Sequence, residues 1–212
     1  MKRILWFVVL CVIICSYAYT SKIYAKRAEE TMLGDISNKI IRFHVLANSD
    51  CKEDQELKLK VRDEVLKYIS PKIKDCNSIV ESRKIINKYN DEIMGICRKV
   101  IKKNGYKYNV SSELSRENFP SKTYGNITLP QGEYESYRIL IGEAQGHNWW
   151  CLMFPPLCFA DVTKVEVNEL KVESEMKSVL TEEQYDFINN KGKKPDFTLK
   201  SKIFECIKEF LK

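Results

Sequence analysis

Residues 39–48 (KIIRFHVLAN) set apolar Ile41, Phe43 and Val45 in alternation with Arg42 and His44. That period of two marks a strand with one face toward a core, and it gives way at once to a helical period. Asp50 stands three residues before Glu53, the spacing of a capping box, so a helix is expected to start there with Asp50 as its cap. Leu57, Val61, Val65 and Tyr68 give that helix one apolar stripe, and Ser70-Pro71 is expected to stop it. A strand that feeds an amphipathic helix needs a layered fold, with helix laid on sheet.

The rest of the chain repeats both periods. Ser78 and Glu81 mark a second helix start, and Ile86, Tyr89, Ile93, Cys97, Val100 and Ile101 follow largely at steps of three and four. The spacing predicts one helix of about 25 residues capped at Asn104-Gly105. Tyr106, Tyr108 and Val110 then alternate with Lys107 and Asn109, as in a strand. Residues 115–132 carry turn chemistry at Phe119-Pro120, Tyr124-Gly125 and Pro130-Gln131-Gly132 and read as irregular. Tyr134 to Ile141 alternates again. Asn148 to Phe154 (NWWCLMF) is apolar on both faces, the mark of a central strand, and these two are expected to form a hairpin.

Past Asp161 the chain turns charged. Val165 and Val167 are expected in a short strand, 174–189 in a helix, and 189–195 in a polar linker. Ile203, Phe204, Ile207, Phe210 and Leu211 line a last helix with Lys200, Lys202, Lys208 and Lys212 around it, suited to docking on its own domain or to an anionic membrane. The expected class is α+β, a largely antiparallel sheet packed with two or more helices, over residues 38–160. Residues 161–212 form a charged appendage.

The first 25 residues stand apart as a signal peptide or signal anchor. Met1-Lys2-Arg3 precedes twelve unbroken apolar residues, Ile4–Cys15, and Ser16-Tyr17-Ala18 fits a small-residue cleavage site, with Ile23-Tyr24-Ala25 a second one. Residues 4–19 are shorter than the roughly 20 that span a bilayer comfortably, so they suit an export signal better than an uncleaved anchor. A buried N-terminal helix is the structural alternative. Leu10 and Ile14 precede Cys11 and Cys15 where a lipoprotein signal needs a small residue, which excludes that class. The net charge is +6, and half of it lies in the first 25 residues, too little basic charge on the remainder for a nucleic-acid binder.

Export permits oxidation of the six remaining cysteines, Cys51, Cys76, Cys97, Cys151, Cys158 and Cys206. They include no C-x-x-C and no nearby histidine pair, so neither a metal site nor a cofactor is expected. Cys151 and Cys158 flank Pro155-Pro156, a segment able to fold back; they fit a disulfide or two buried thiols equally. Cys76, Cys97 and Cys206 fall in helical patterns, as core residues do.

Two groups could touch a partner. His44, Asn48 and Asp50 gather at the strand-to-helix turn, where capping and turn bonding are the structural alternative. Trp149 and Trp150 are adjacent, point to opposite faces of a strand, and fit either core packing or an interface anchor. His147 is the one other histidine, no cysteine-hydrolase signature surrounds Cys151 or Cys158, and no phosphate-binding glycine loop is present. No catalytic residue is assigned.

The wording of four segments is specific. IRFHVLANSD (41–50), EDQELKLKVRDEVLKYI (53–69), NFPSKTYGNITLPQGEYESYRILIGE (118–143) and GHNWWCLMFPPLCF (146–159) resemble the stage II sporulation protein R family. Ser121 and Ala144-Gln145 are mild departures, and the chain after 161 matches weakly. The resemblance implies a protein made in the forespore and exported into the space between the forespore and mother-cell membranes. It further implies that the chain switches on a membrane-embedded aspartic protease, the enzyme that removes the pro-sequence of sigma-E. The family carries no established catalytic residues. An exported hydrolase acting on cell wall or protein is the alternative, and a membrane- or wall-associated structural protein a third.

Overall fold

In the computed structural model, which describes residues 2–159 and 169–190, the alternating segment becomes strand β1, Ile41–Leu46. Before it runs helix α1 (Lys2–Ser37); after it come α2 (Lys52–Ile73), α3 (Ile79–Lys88) and α4 (Asn90–Lys103). Strands β2 (Val110–Phe119), β3 (Lys122–Tyr124), β4 (Ile127–Leu129), β5 (Gly132–Ile141) and β6 (Asn148–Phe154) follow, then α5 (Glu169–Lys177) and α6 (Glu182–Ile188). The main sheet has the order β2-β5-β1-β6, and β3 and β4 form a separate hairpin. β1 runs parallel to β5, a pairing that needs a long return, and antiparallel to β6; β2 and β5 are antiparallel. The class is α+β, with a sheet that is mostly antiparallel.

Each face of the sheet holds its own core. On the first, Ile41, Phe43, Val45, Tyr137, Ile139 and Ile141 meet Leu57, Val61, Val65, Ile69 and Ile73, spaced every four residues along α2, with Ile93, Cys97 and Ile101 of α4. Each such fully buried aliphatic side chain contributes about 1.5–3 kcal/mol. On the second, Phe119, Tyr134 and Leu152 are covered by Ile36 and Ile40, by Ile127 and Leu129 of β4, and by Val172, Met176, Tyr185 and Ile188 of α5 and α6. The sheet is therefore buried from both sides.

Several expectations change in the folded chain. Asp50 does not cap α2; Cys51 takes the cap position without a side-chain bond. Pro71 does not end α2, because burying Ile73 beside Ile69 carries the helix one turn further. The helix expected over about 25 residues breaks at Tyr89 (φ −102°, ψ 13°), which turns Asn90 to the sheet, where its Oδ1 accepts from Ser112 Oγ and Tyr137 OH. Ser78 does cap α3, accepting from the Glu81 N–H, and Gly105 closes α4 at φ 84°.

Residues 115–119, read as irregular, belong to β2, an edge strand whose polar residues face water or pair with charges such as Arg138. Tyr106 and Tyr108 precede that strand and do not belong to it. β5 and β6 form no hairpin: β1 lies between them, and β6 is an edge strand, its apolar character coming from layers above and below it. The helix expected over 174–189 is instead α5 and α6, separated at Thr181, whose capping box with Gln184 starts the second. The expected strand at Val165 and Val167, the helix at 203–211, Cys206 and most of the 189–195 linker lie outside the described residues.

α1 is one continuous helix whose last turn enters the second core through Ile36, while Trp6, Ile13 and Tyr17 are exposed. Among the described residues no helix is long and apolar enough to cross a membrane.

Candidate functional site

The turn after β1 is built by side chains reaching across the chain. Asp54, buried at the start of α2, accepts from Asn48 Nδ2 (2.8 Å) and Ser49 Oγ (2.6 Å). Burial, the largest influence, would raise that carboxyl, but hydrogen bonds from Ser49, Asn48, Tyr108 and Cys51 together outweigh it and hold it below the usual range. Asn48 Oδ1 accepts the Glu143 N–H at 3.0 Å, so one side chain ties the β1 turn to the β5–β6 loop. That loop must approach closely: a Cβ on Gly142, at φ 59°, would lie 2.2 Å from Asn48 Oδ1, and one on Gly146 2.2 Å from the Ser49 carbonyl.

Asp50 faces the same loop. Its carboxylate accepts the His147 backbone N–H and pairs with His147 Nδ1, and the backbone bond first, then the ring, hold it below the usual carboxylate range. Lys58, buried beneath, donates to the His147 carbonyl at 2.8 Å and to Gln55 Oε1. The Asp50 and His147 side chains stay 53% and 82% exposed. The sheet end thus presents a braced, polar surface.

Trp149 and Trp150 leave β6 on opposite faces. Trp149 packs edge-on against Phe43 (6.0 Å) with the Arg62 guanidinium 4.8 Å from its ring centroid. Trp150 stacks on His44 at 4.6 Å and meets Phe119 edge-on at 4.7 Å. Both indoles are partly buried against the two cores. Asn48 and Asp50 with the two tryptophans therefore reach the surface near one end of the sheet. His44 does not: at 3% exposure it lies inside the second core, so its expected place on a contact surface is corrected. Alternation put His44 on the outer side of a half-buried strand, but α5, α6 and the β3–β4 hairpin cover that side.

The covered face sets beside His44 three residues that sequence reasoning gave no role, Arg42, Ser136 and Arg138. Arg42 is fully buried, its guanidinium 4.2 Å from the Phe119 ring centroid and 5.0 Å from that of Tyr134. It donates from Nη2 to Tyr124 OH at 3.3 Å. Ser136 is its register partner on β5, and Arg138, the register partner of His44, is paired with Glu113 and Glu117. Burial first, then Arg138 and Arg42, push His44 down to about 3, so its ring is neutral at physiological pH. The available signal was the phase: Arg42 and His44 share one face of β1.

The thiol chemistry is quiet. Cys151 and Cys158 are joined in a disulfide with Cα atoms 5.6 Å apart, which fastens the turn Leu157–Phe159 to β6. Burial pushes the Cys97 thiol up to about 12 and raises Cys76 as well, the reverse of nucleophile activation. Among the described residues no group of three His, Cys, Asp or Glu side chains is placed to hold a metal ion.

The residue pattern of the stage II sporulation protein R family matches residues 37–164. The chain belongs to that family. Stage II sporulation protein R of Bacillus subtilis (strain 168) is 38% identical to it over 159 residues, 75% of this chain and 71% of that protein. No solved structure matches the chain. Membership gives the protein a role in sporulation, in a family named for a stage of spore formation and not for a reaction. The family match takes in β1 through β6, so it includes the braced sheet end, both tryptophans and the buried basic face.

Proposed function

We propose that this chain is an exported signal of sporulation that activates, by direct contact, the membrane-embedded aspartic protease that processes pro-sigma-E. The observation that carries the reading is membership of the stage II sporulation protein R family across the whole sheet. Residues 1–25 direct the chain across the forespore membrane into the space facing the mother cell, and the apolar residues 4–19 provide a membrane contact if the signal is retained. Activation works by population shift: a ligand that binds one receptor state more tightly favours that state.

The contact surface of this reading is the braced sheet end, with Asn48, Asp50, Trp149 and Trp150. Four backbone N–H groups of the β5–β6 loop donate to residues 47–50 and hold it in place before a partner arrives, which lowers the ordering cost of binding. The partly buried tryptophans beside it are the residue type that anchors interfaces. In the full chain, Asp50→Lys and Trp149→Ala are each expected to weaken binding to the extracytoplasmic part of the protease at least about tenfold, with near-UV circular dichroism retained. Unchanged affinity in both folded variants would remove this face as the contact surface.

A further inference from the structure

The second face of the sheet contains more donors than its own residues satisfy. Among the described residues, Arg42 Nε and Nη1, both ring nitrogens of His44, Ser136 Oγ and Arg138 Nε are buried without a hydrogen-bond partner. Native proteins leave few such atoms, because each buried unpaired group costs about 1–3 kcal/mol, and more when charged. These four residues are neighbours: Arg42 and His44 are two apart on β1, and Ser136 and Arg138 are their register partners on β5. Arginine only donates, and serine and a neutral imidazole each can donate once. What complements them is an acceptor. Arg138 is already balanced by Glu113 and Glu117, whereas among the described residues Arg42 has one hydrogen bond, to a neutral phenol, and aromatic rings beside it. Among those residues its positive charge has no carboxylate partner.

We propose that Arg42, His44 and Ser136 form a binding site for a single carboxylate, entered beside Tyr124. A monoanion neutralises Arg42, and its two oxygens accept from the guanidinium, the imidazole and the serine hydroxyl. A dianion such as sulfate would bury a second, uncompensated negative charge. Tyr124 is partly buried and its hydroxyl touches Arg42, so the proposed route from solvent runs past its ring. Phe119 and Tyr134 flank the guanidinium and keep the site dry, which strengthens the pairing. The site is independent of the braced sheet end and of the receptor reading.

Acetate is the probe, titrated into the full chain at constant ionic strength against chloride. The ring resonances of His44 are expected to shift saturably, with those of exposed His147 as the internal control. Arg42→Met should abolish the shift, and Arg42→Lys, which keeps the charge but not the planar fork, should weaken binding at least about tenfold. Sulfate, a dianion at pH 7.5, should leave His44 unmoved. If Arg42→Met does not fold, Arg42→Lys and the wild-type titrations decide. A folded wild-type protein whose His44 signals ignore acetate, or an acetate response equal in wild type and Arg42→Lys, would overturn the site; a sulfate response as strong as that to acetate would overturn the carboxylate assignment.

Discussion

Replacing Phe43 with alanine is expected to cost about 3–5 kcal/mol of stability. Phe43 is fully buried on a strand that has neighbours on both edges, stacked on Tyr137 at 6.1 Å and met edge-on by Trp149. The sheet cannot close on the space left, because β1 is held by β5 and β6 and α2 presses on the same layer. The loss therefore combines the transfer energy of the ring with a cavity that relaxes only in part. Urea unfolding should show a lower midpoint at unchanged slope. Val80→Ala, on the exposed side of α3, should stay within about 0.5 kcal/mol of wild type. A Phe43→Ala loss no larger than that of Val80→Ala would contradict the placement of β1 at the centre of the sheet.

The second large effect is acid sensitivity centred on His44. The folded chain holds that ring's affinity for a proton down to about 3, from an unfolded value of 6.5. Between those values the unfolded chain binds the extra proton and the folded chain does not, so stability rises with pH. The contribution is complete above about pH 6.5 and drains away as pH falls toward 3. From pH 7 to pH 4.5 the wild type should lose about 2–3 kcal/mol through this one residue. His44→Phe keeps a flat ring against Trp150 and has no proton to gain, so its stability should be flatter over the same range. The range stops above pH 4.5 because Asp50 and Asp54, whose folded values are lowered, begin to cost stability only below it. Equal pH slopes for wild type and His44→Phe in urea unfolding would contradict the burial of a neutral His44.

How far the sequence disclosed this arrangement depends on the range of each interaction. The β1 alternation, the α2 stripe and the Ser78 start are local patterns, and each appears where its pattern lies. The opposite directions of Trp149 and Trp150 follow from the pleat alone. Alternation could not say that the outer side of β1 is covered, because its cover comes from Val172, Met176 and Tyr185, over a hundred residues later. Arg42 and His44 therefore read as solvent-facing when they are buried. Asp50 shows the same limit: capping-box spacing is local, but His147, 97 residues away, takes its carboxylate. β6 read as central because both its faces are apolar, a property set by layers above and below and silent about edges. Strand β2 was hidden because a polar edge strand and a loop have similar compositions.

The central claim is that this protein switches on the sigma-E-processing protease by touching it. Co-expression of the full chain, the protease and the sigma-factor precursor in a bacterium that does not sporulate tests it most directly. The account predicts conversion of the precursor to its shorter form only when this chain is present, with conversion reduced by Asp50→Lys. Processing that proceeds equally without the chain would contradict it.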